Sequence, residues 1–267
     1  MSSAPRTLVF VHAHPDDEAL LTSGTMARAA AEGNRVVLIV ATDGAAGLTS
    51  TGYQDDLAAT RARELEESAR ALSVARTMSL GYPDSGLHGE TIGGLASQSA
   101  FRVAGQIAAV CDAEAADVLV GYDSSGGYGH PDHLAVHRAV RAASVLCQRP
   151  PTVFEATLPR EPIARAVHAA SALRLTPSDF SPSEFDTAWT PSKQISHRVN
   201  VRYYLGAKAA SLKAHASQAS ADGTTRTLAV LTRLPSPVLG LLLGTEYYCL
   251  VSDPHRASAS STNVGLS

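Results

Sequence analysis

Two short strings concentrate the chemistry of this chain. The first is His12-Ala13-His14-Pro15-Asp16-Asp17-Glu18, in which four ionisable groups fall within the five residues 14–18 around a proline-marked turn. The second is Tyr128-Gly129-His130-Pro131-Asp132-His133, preceded by Gly126-Gly127 and followed by His137. Crowding such charges together costs free energy unless something compensates them, and a divalent cation does so. Histidine nitrogen and aspartate oxygen suit zinc, and a three-residue set such as His14, Asp17 and His133 leaves a fourth position for water, the mark of a catalytic site. The resulting chemistry is hydrolysis: a metal acidifies water and polarises a carbonyl, and a neighbouring carboxylate takes the proton. Asp16 and Asp17 divide the roles of ligand and base, and the spacing does not say which takes which. His130 and Tyr128 are donors for an oxyanion, with His130 also able to protonate a leaving amine. Asp132 suits the task of orienting a neighbouring histidine. The competing reading of the first string is a helix cap, since aspartates favour a helix N-terminus. A second cluster, His-Pro-Asp-His at 130–133, makes a metal site the stronger reading.

These strings need elements to bring them together. Apolar runs at Thr7–His12, Arg35–Ala41, Thr77–Gly81, Asp117–Gly121 and Thr152–Thr157 read as buried strands. Between them Glu18–Glu32, Leu57–Leu72, Gln98–Cys111 and His133–Leu146 carry helical spacing. Strands that are apolar throughout and alternate with helices predict a mainly parallel sheet covered on both faces, a Rossmann-like three-layer α/β/α fold. Ligands bind at the carboxyl ends of such strands, and the polar strings at 12–18, 42–47, 80–87 and 122–133 all follow strands. Beyond residue 160 the pattern weakens. Glu161–Leu173 and Val201–His215 read as helices and Ser178–Pro191 as a loop that is a candidate lid. The last third adds extra C-terminal helices and a final strand pair. Residues 1–255 are expected to form a single domain and 256–267 a disordered tail.

The 267 residues carry 45% hydrophobic and 18% charged side chains with net charge −3, an ordinary globular composition. No Lys/Arg run suggests nucleic acid or an anionic membrane surface. Cys111, Cys147 and Cys249 form no CxxC pair and read as buried small hydrophobes. Neither a signal peptide nor a spanning segment is evident, so a cytoplasmic location is the default expectation. The glycines at 44 and 47 lack a dinucleotide fingerprint, which leaves a nucleotide-binding module little support.

The strings AHPDDE at 13–18, TDGAAG at 42–47, RARELEESARALSV at 61–74, LGYPDSGL at 80–87, GYGHPDH at 127–133 and KAASLKAHASQ at 208–218 resemble the LmbE-like, or PIG-L-like, zinc-dependent N-deacetylases, in the family's order and across most of the chain. The resemblance implies His14, Asp17 and His133 as zinc ligands and Asp16 as general base. It implies His130 as general acid or oxyanion stabiliser with Tyr128 assisting, and Arg61 and Asp84 as contacts to substrate hydroxyls. Ferrous iron fits the same donors as zinc. The implied substrate is a small N-acetylglucosaminyl-type amino sugar, with an amidase acting on a larger acyl group as the alternative and a homo-oligomer left open. A non-catalytic carbohydrate-binding relative would lack a ligand or the base, and all are present. Arg61 also fits a solvated helix face, Asp84 an ordinary Pro-Asp-Ser-Gly turn, and Asp43-Gly44 a simple turn. Lys208 and His215 are expected to pack or to support a lid, and His12 to pack beneath the site.

Overall fold

In the computed structural model, residues 4–44, 57–174, 181–219 and 236–254 are described. The expected tail from residue 256, and residues 178–180 of the candidate lid, lie outside them. Five parallel strands carry the centre of the sheet: β1 (Thr7–His12), β2 (Arg35–Thr42), β3 (Arg76–Tyr82), β4 (Val118–Tyr122) and β5 (Thr152–Thr157). The expected final pair follows as β6 (His197–Asn200) and β7 (Thr245–Ser252), both joined antiparallel. The order is β3-β2-β1-β4-β5-β7-β6. The chain therefore runs outward from β1 through β3 and then crosses back to place β4 on the other side of β1. That reversal opens a crevice between the carboxyl ends of β1 and β4. The two reactive strings follow those two strands.

Alternation along the strands splits the core in two. Val9, Val11, Val37 and Ile39 face one layer, where they meet Val103, Ile107, Val136 and Val140 of α4 (Ala100–Ala113) and α5 (Pro131–Leu146). Phe10, Val36, Leu38 and Val40 face the other, against Met26 and Leu65 of α2 (Ser23–Ala31) and α3 (Leu57–Ala71). Both faces are thus covered, and buried strands read as continuous apolar runs for this reason.

The expected helix over Glu18–Glu32 is two helices, α1 (Asp17–Leu21) and α2, parted at Thr22 (φ −135°, ψ −3°). Tertiary contacts fill the break. Glu246 of β7 accepts from the amides of Gly24 and Thr25 at 2.8 Å each, a carboxylate at a helix N-terminus. Lys208 bonds both Glu246 (2.5 Å) and the carbonyl of Leu20 (2.8 Å). Gly24 has no room for a side chain, since a β-carbon would lie 2.6 Å from Val201. The expected helix over Val201–His215 is a short 3-10 turn followed by α7 (Leu205–Ala214); it stops at His215, beyond which lies a short α8 (Ala216–Ala219). Helix α6 (Arg160–Ala172) matches its expectation, and α9 (Ser236–Leu243) precedes β7. No helix among the described residues is long and apolar enough to cross a membrane.

Candidate metal centre

His14 and Asp17 come from the turn after β1 and the first turn of α1; His130, Asp132 and His133 come from the start of α5. The sequence builds that second start deliberately. Pro131 sits at the first helical position and His130 is the N-cap, its Nδ1 accepting from the amide of Asp132 at 3.2 Å. One helical turn thus presents three site residues.

The tautomers of the two central histidines follow from their partners. His133 Nδ1 lies 3.2 Å from the carbonyl of Gly126, which only accepts, so that nitrogen carries the proton. Its Nε2 is buried, has no hydrogen-bond partner, and faces Asp17 Oδ1 at 3.4 Å. His14 Nε2 meets Asp132 Oδ2 at 3.2 Å and Asp84 Oδ1 at 3.6 Å, so the proton is on that side. Its Nδ1 then faces Asp17 Oδ2 at 3.3 Å. Two ring nitrogens therefore confront one carboxylate, and that of His133 has no hydrogen-bond partner. That donor set fits a cation, and the outer hydrogen bonds are the ones that orient metal-binding histidines. One nitrogen each of His14, His130 and His133 lie within 4.8 Å of one another, and so do donors of His14, Asp84 and Asp132.

Electrostatics separate the paired aspartates. Burial raises the Asp16 carboxyl to about 6, with the neighbouring charge of Asp17 adding to the effect. Burial also works to raise Asp17, but His133 and His14 overcome it and hold Asp17 well below the usual carboxylate range. Burial opposes charge on His14 too, and hydrogen bonds to Asp132, Asp17 and Asp84 more than offset it, so His14 is raised well above an ordinary histidine. His130 goes the other way, down to about 4, through burial and then the positive fields of His14 and His133. Asp16 also holds an unusual backbone (φ 127°, ψ −26°). For a residue with a β-carbon this costs on the order of 1–3 kcal/mol and persists only where neighbours enforce it.

The structure places the other neighbours as well. Arg61 is not on a solvated face: it is 2% exposed, on the same stripe of α3 as Leu57, Glu64, Leu65 and Ser68. Its guanidinium fills the space beside Gly44, where a β-carbon would lie 2.1 Å from Arg61 Nη1. Gly44 (φ +65°) thus does more than turn the chain. Arg61 Nε finds no partner among the described residues. Asp84 does make its turn, accepting from the amide of Gly86 at 2.9 Å, and it also faces His14. Tyr128 is half-exposed at the rim, edge-on to His133 at 5.2 Å between ring centres. His12 is buried, with Nε2 bonded to Thr22 Oγ1. His137 bonds the carbonyl of Tyr122 and pairs with Glu155, which supports the helix and strand end.

Tyr122 carried no motif to announce it. Its hydroxyl donates to Asp17 Oδ2 at 2.5 Å and accepts from the amide of Ala13 at 2.9 Å, while its ring stacks on His133 at 4.2 Å. It fixes both strings at once. The available signal was its place as the last residue of β4, beside the crevice. Residues 181–191 run through a 3-10 turn to Trp189, which is buried. Arg160 binds the carbonyls of Thr187, Ala188 and Trp189, and the Trp189 amide donates to Gly127. This end of the candidate lid packs behind the loop that bears Tyr128. A cleft of about 490 Å3 at Cys111–Ala116 and Gln148–Arg149 lies at the opposite sheet edge and holds none of these side chains.

Residues 9–144 match the family described as GlcNAc-PI de-N-acetylase, PIG-L. The chain is 32% identical, over 92% of its length and 89% of the relative's, to a protein of Acidothermus cellulolyticus named 1D-myo-inositol 2-acetamido-2-deoxy-alpha-D-glucopyranoside deacetylase. A protein of the same name from Streptomyces griseus is 36% identical over 92% of this chain and 83% of its own. Among solved structures, N,N'-diacetylchitobiose deacetylase from Pyrococcus horikoshii aligns with a TM-score of 0.58 at 20% identity over 93% of this chain and 84% of its own. A 4-carboxy-2-hydroxymuconate hydratase aligns with a TM-score of 0.57 at 13% identity, over 93% of this chain and 97% of its own. The fold alone therefore does not select the reaction, whereas sequence identity along nearly the whole chain does. The chain belongs to the PIG-L family of GlcNAc-PI de-N-acetylases and is an N-deacetylase hydrolase.

Proposed function

We propose that this enzyme removes the acetyl group from the nitrogen of an N-acetylglucosaminyl-inositol compound, with zinc held by His14, Asp17 and His133. The observation that carries the reading is the pair of imidazole nitrogens, on rings each fixed by an outer hydrogen bond, that face the two oxygens of Asp17. The substrate class is supported by the names of the relatives that match over most of their length. Zinc and ferrous iron both suit these donors. When bound, the ion supplies Lewis acidity, making a water acidic near neutrality and polarising the acyl carbonyl.

The chain's own groups do the rest. Asp16, raised to about 6, is ionised at neutral pH yet basic enough to take the proton of the attacking water. The water oxygen bonds to the acyl carbon, the C–N bond then breaks, and Asp16 returns the proton to the departing amine. Because His130 Nδ1 already accepts a backbone proton, its Nε2 carries hydrogen in the neutral ring. With its pKa near 4, His130 is thus a neutral donor for the oxyanion at working pH rather than an acid. Asp132 orients His14, and Tyr128 stands at the rim to assist. Arg61 and Asp84 are the contacts for substrate hydroxyls.

The test is a paired assay of free amine and free acetate, using zinc-loaded protein, N-acetylglucosaminyl-inositol and related N-acyl amino sugars, with and without chelator. Equal and chelator-sensitive release of both products is the expected result. Amine without acetate would assign a larger acyl group and an amidase activity. Release of neither product from the inositol compound would reject the substrate assignment.

A further inference from the structure

Glu18 ends the first reactive string but bonds to neither histidine of the candidate centre. Its carboxylate is fully buried and has three donors. Oε1 lies 2.6 Å from His215 Nε2 and accepts from Ser68 Oγ at 2.6 Å. Oε2 accepts from the backbone amide of Asp16 at 3.0 Å. His215, Ser68 and Ser211 are also fully buried, with the two serine hydroxyls 2.7 Å apart. His215 stands at the break between α7 and α8, from a family-like string that the proposed reaction does not use.

The bond to Asp16 falls where the backbone needs it. Asp16 has positive φ, a region that residues with a β-carbon rarely enter. Its amide is held by Glu18, and its carbonyl accepts from the amide of Ala19 at 3.0 Å. These two bonds fix the rotations on either side of its α-carbon and so aim its side chain. A buried ion pair is a weak way to gain stability compared with apolar packing. Joining residues 197 apart in sequence for packing alone needs no such pair.

We propose that His215 and Glu18 form a positioning pair that clamps the positive-φ geometry of Asp16 and thereby aims its carboxylate at the reacting water. The proposal rests on the reading of Asp16 as the base. It makes turnover depend on the junction of α7 and α8, whose His215 bonds Glu18 and none of the residues assigned to the metal. Ser68 shares the same oxygen of Glu18 and contributes in the same direction.

The experiment compares His215→Leu, His215→Gln and Ser68→Ala, each alone and combined with Asp16→Asn, in the full-length zinc-loaded enzyme. Metal content, kcat, KM and hydrogen exchange of the peptide containing Asp16 are measured. His215→Leu is expected to keep its metal, leave KM within about twofold and lose about tenfold to a hundredfold in kcat, the size of effect that a small misplacement produces. Exchange at the Asp16 segment should quicken. His215→Gln retains an N–H at the reach of Nε2 and should restore most of the turnover. In the Asp16→Asn background His215→Leu should cause no further fall in the residual rate, since both changes remove one function. Equal fold losses in both backgrounds would reduce His215 to a structural role and overturn the proposal. So would wild-type kcat in folded His215→Leu or Ser68→Ala alongside a crippled Asp16→Asn, which leaves the base assignment standing. Wild-type kcat in Asp16→Asn itself would instead remove the base. If His215→Leu fails to fold, the same comparison is decided by Ser68→Ala, with a smaller kcat loss expected that vanishes in the Asp16→Asn background.

Discussion

Asp16 and Asp17 are adjacent in the chain, yet their surroundings push their carboxyl groups in opposite directions. Asp17 faces two imidazoles and receives the Tyr122 hydroxyl, all of which favour its charge. Asp16 is buried beside Asp17, which disfavours its charge. The free-enzyme pH profile should therefore show an acid limb. A base works only when deprotonated, so kcat/KM is expected to fall as pH drops through about 6, and positive charge from a bound cation moves that limb lower. Asp16→Asn should keep its metal, lose about 10²- to 10⁴-fold in kcat and abolish this limb. A variant with wild-type kcat and an unchanged limb would take Asp16 out of the mechanism. The sequence supplied both residues and left their roles open, because the division depends on groups from β4 and α5 that only folding brings alongside.

At the scale of elements, the break between α1 and α2 is the feature that local sequence hid. Ala-rich Glu18–Glu32 has good helix propensity throughout, and the reading as one helix followed from that. Three distant groups override it: Glu246 caps α2, Lys208 bonds Leu20 at the end of α1, and Val201 occupies the space that Gly24 vacates. Lys208→Met should leave Glu246 buried with its amide partners but without its ion pair. A cost of about 3 kcal/mol, the low end for breaking a buried pair, lowers Tm by about 6–12 °C in a domain of this size. Thermal unfolding checks this, and an unchanged Tm would mean that the amides alone hold Glu246. The reverse case is Arg61, where the stripe Leu57-Arg61-Leu65-Ser68 was legible as one face of a helix. A solvated face stood as the alternative to a substrate contact for Arg61, while in the fold Gly44 opens a buried place for the guanidinium.

For the whole molecule, the decisive feature is the reversal of strand order between β1 and β4. It sets two strings more than a hundred residues apart on either side of one crevice, with Tyr122 bonding the first and stacking on His133 of the second. A site assembled from separate parts of the fold should couple metal binding to stability. Zinc at about a thousandfold over its Kd adds about 4 kcal/mol, which raises Tm by about 8–16 °C. Chelation should reverse the shift, and His133→Ala should abolish most of it. A full shift in His133→Ala would reject His133 as a ligand without reference to activity.

The sequence by itself determined the α/β class, the strands at the centre of the sheet and the residue types of the centre. Apolar runs, helical spacing and clustered histidines and aspartates are local properties of the chain. The same strings carried the family, since His-Pro-Asp-Asp-Glu and His-Pro-Asp-His are contiguous. Folding decided which nitrogen of each histidine faces Asp17, that Asp132 serves His14, that Tyr122 spans the crevice, and that His215 reaches Glu18. It also decided that the Trp189 end of the 181–191 segment packs behind the loop that bears Tyr128. Each of these depends on one hydrogen bond or packing contact between residues far apart in the chain, and such pairings leave no period or spacing for a single sequence to display.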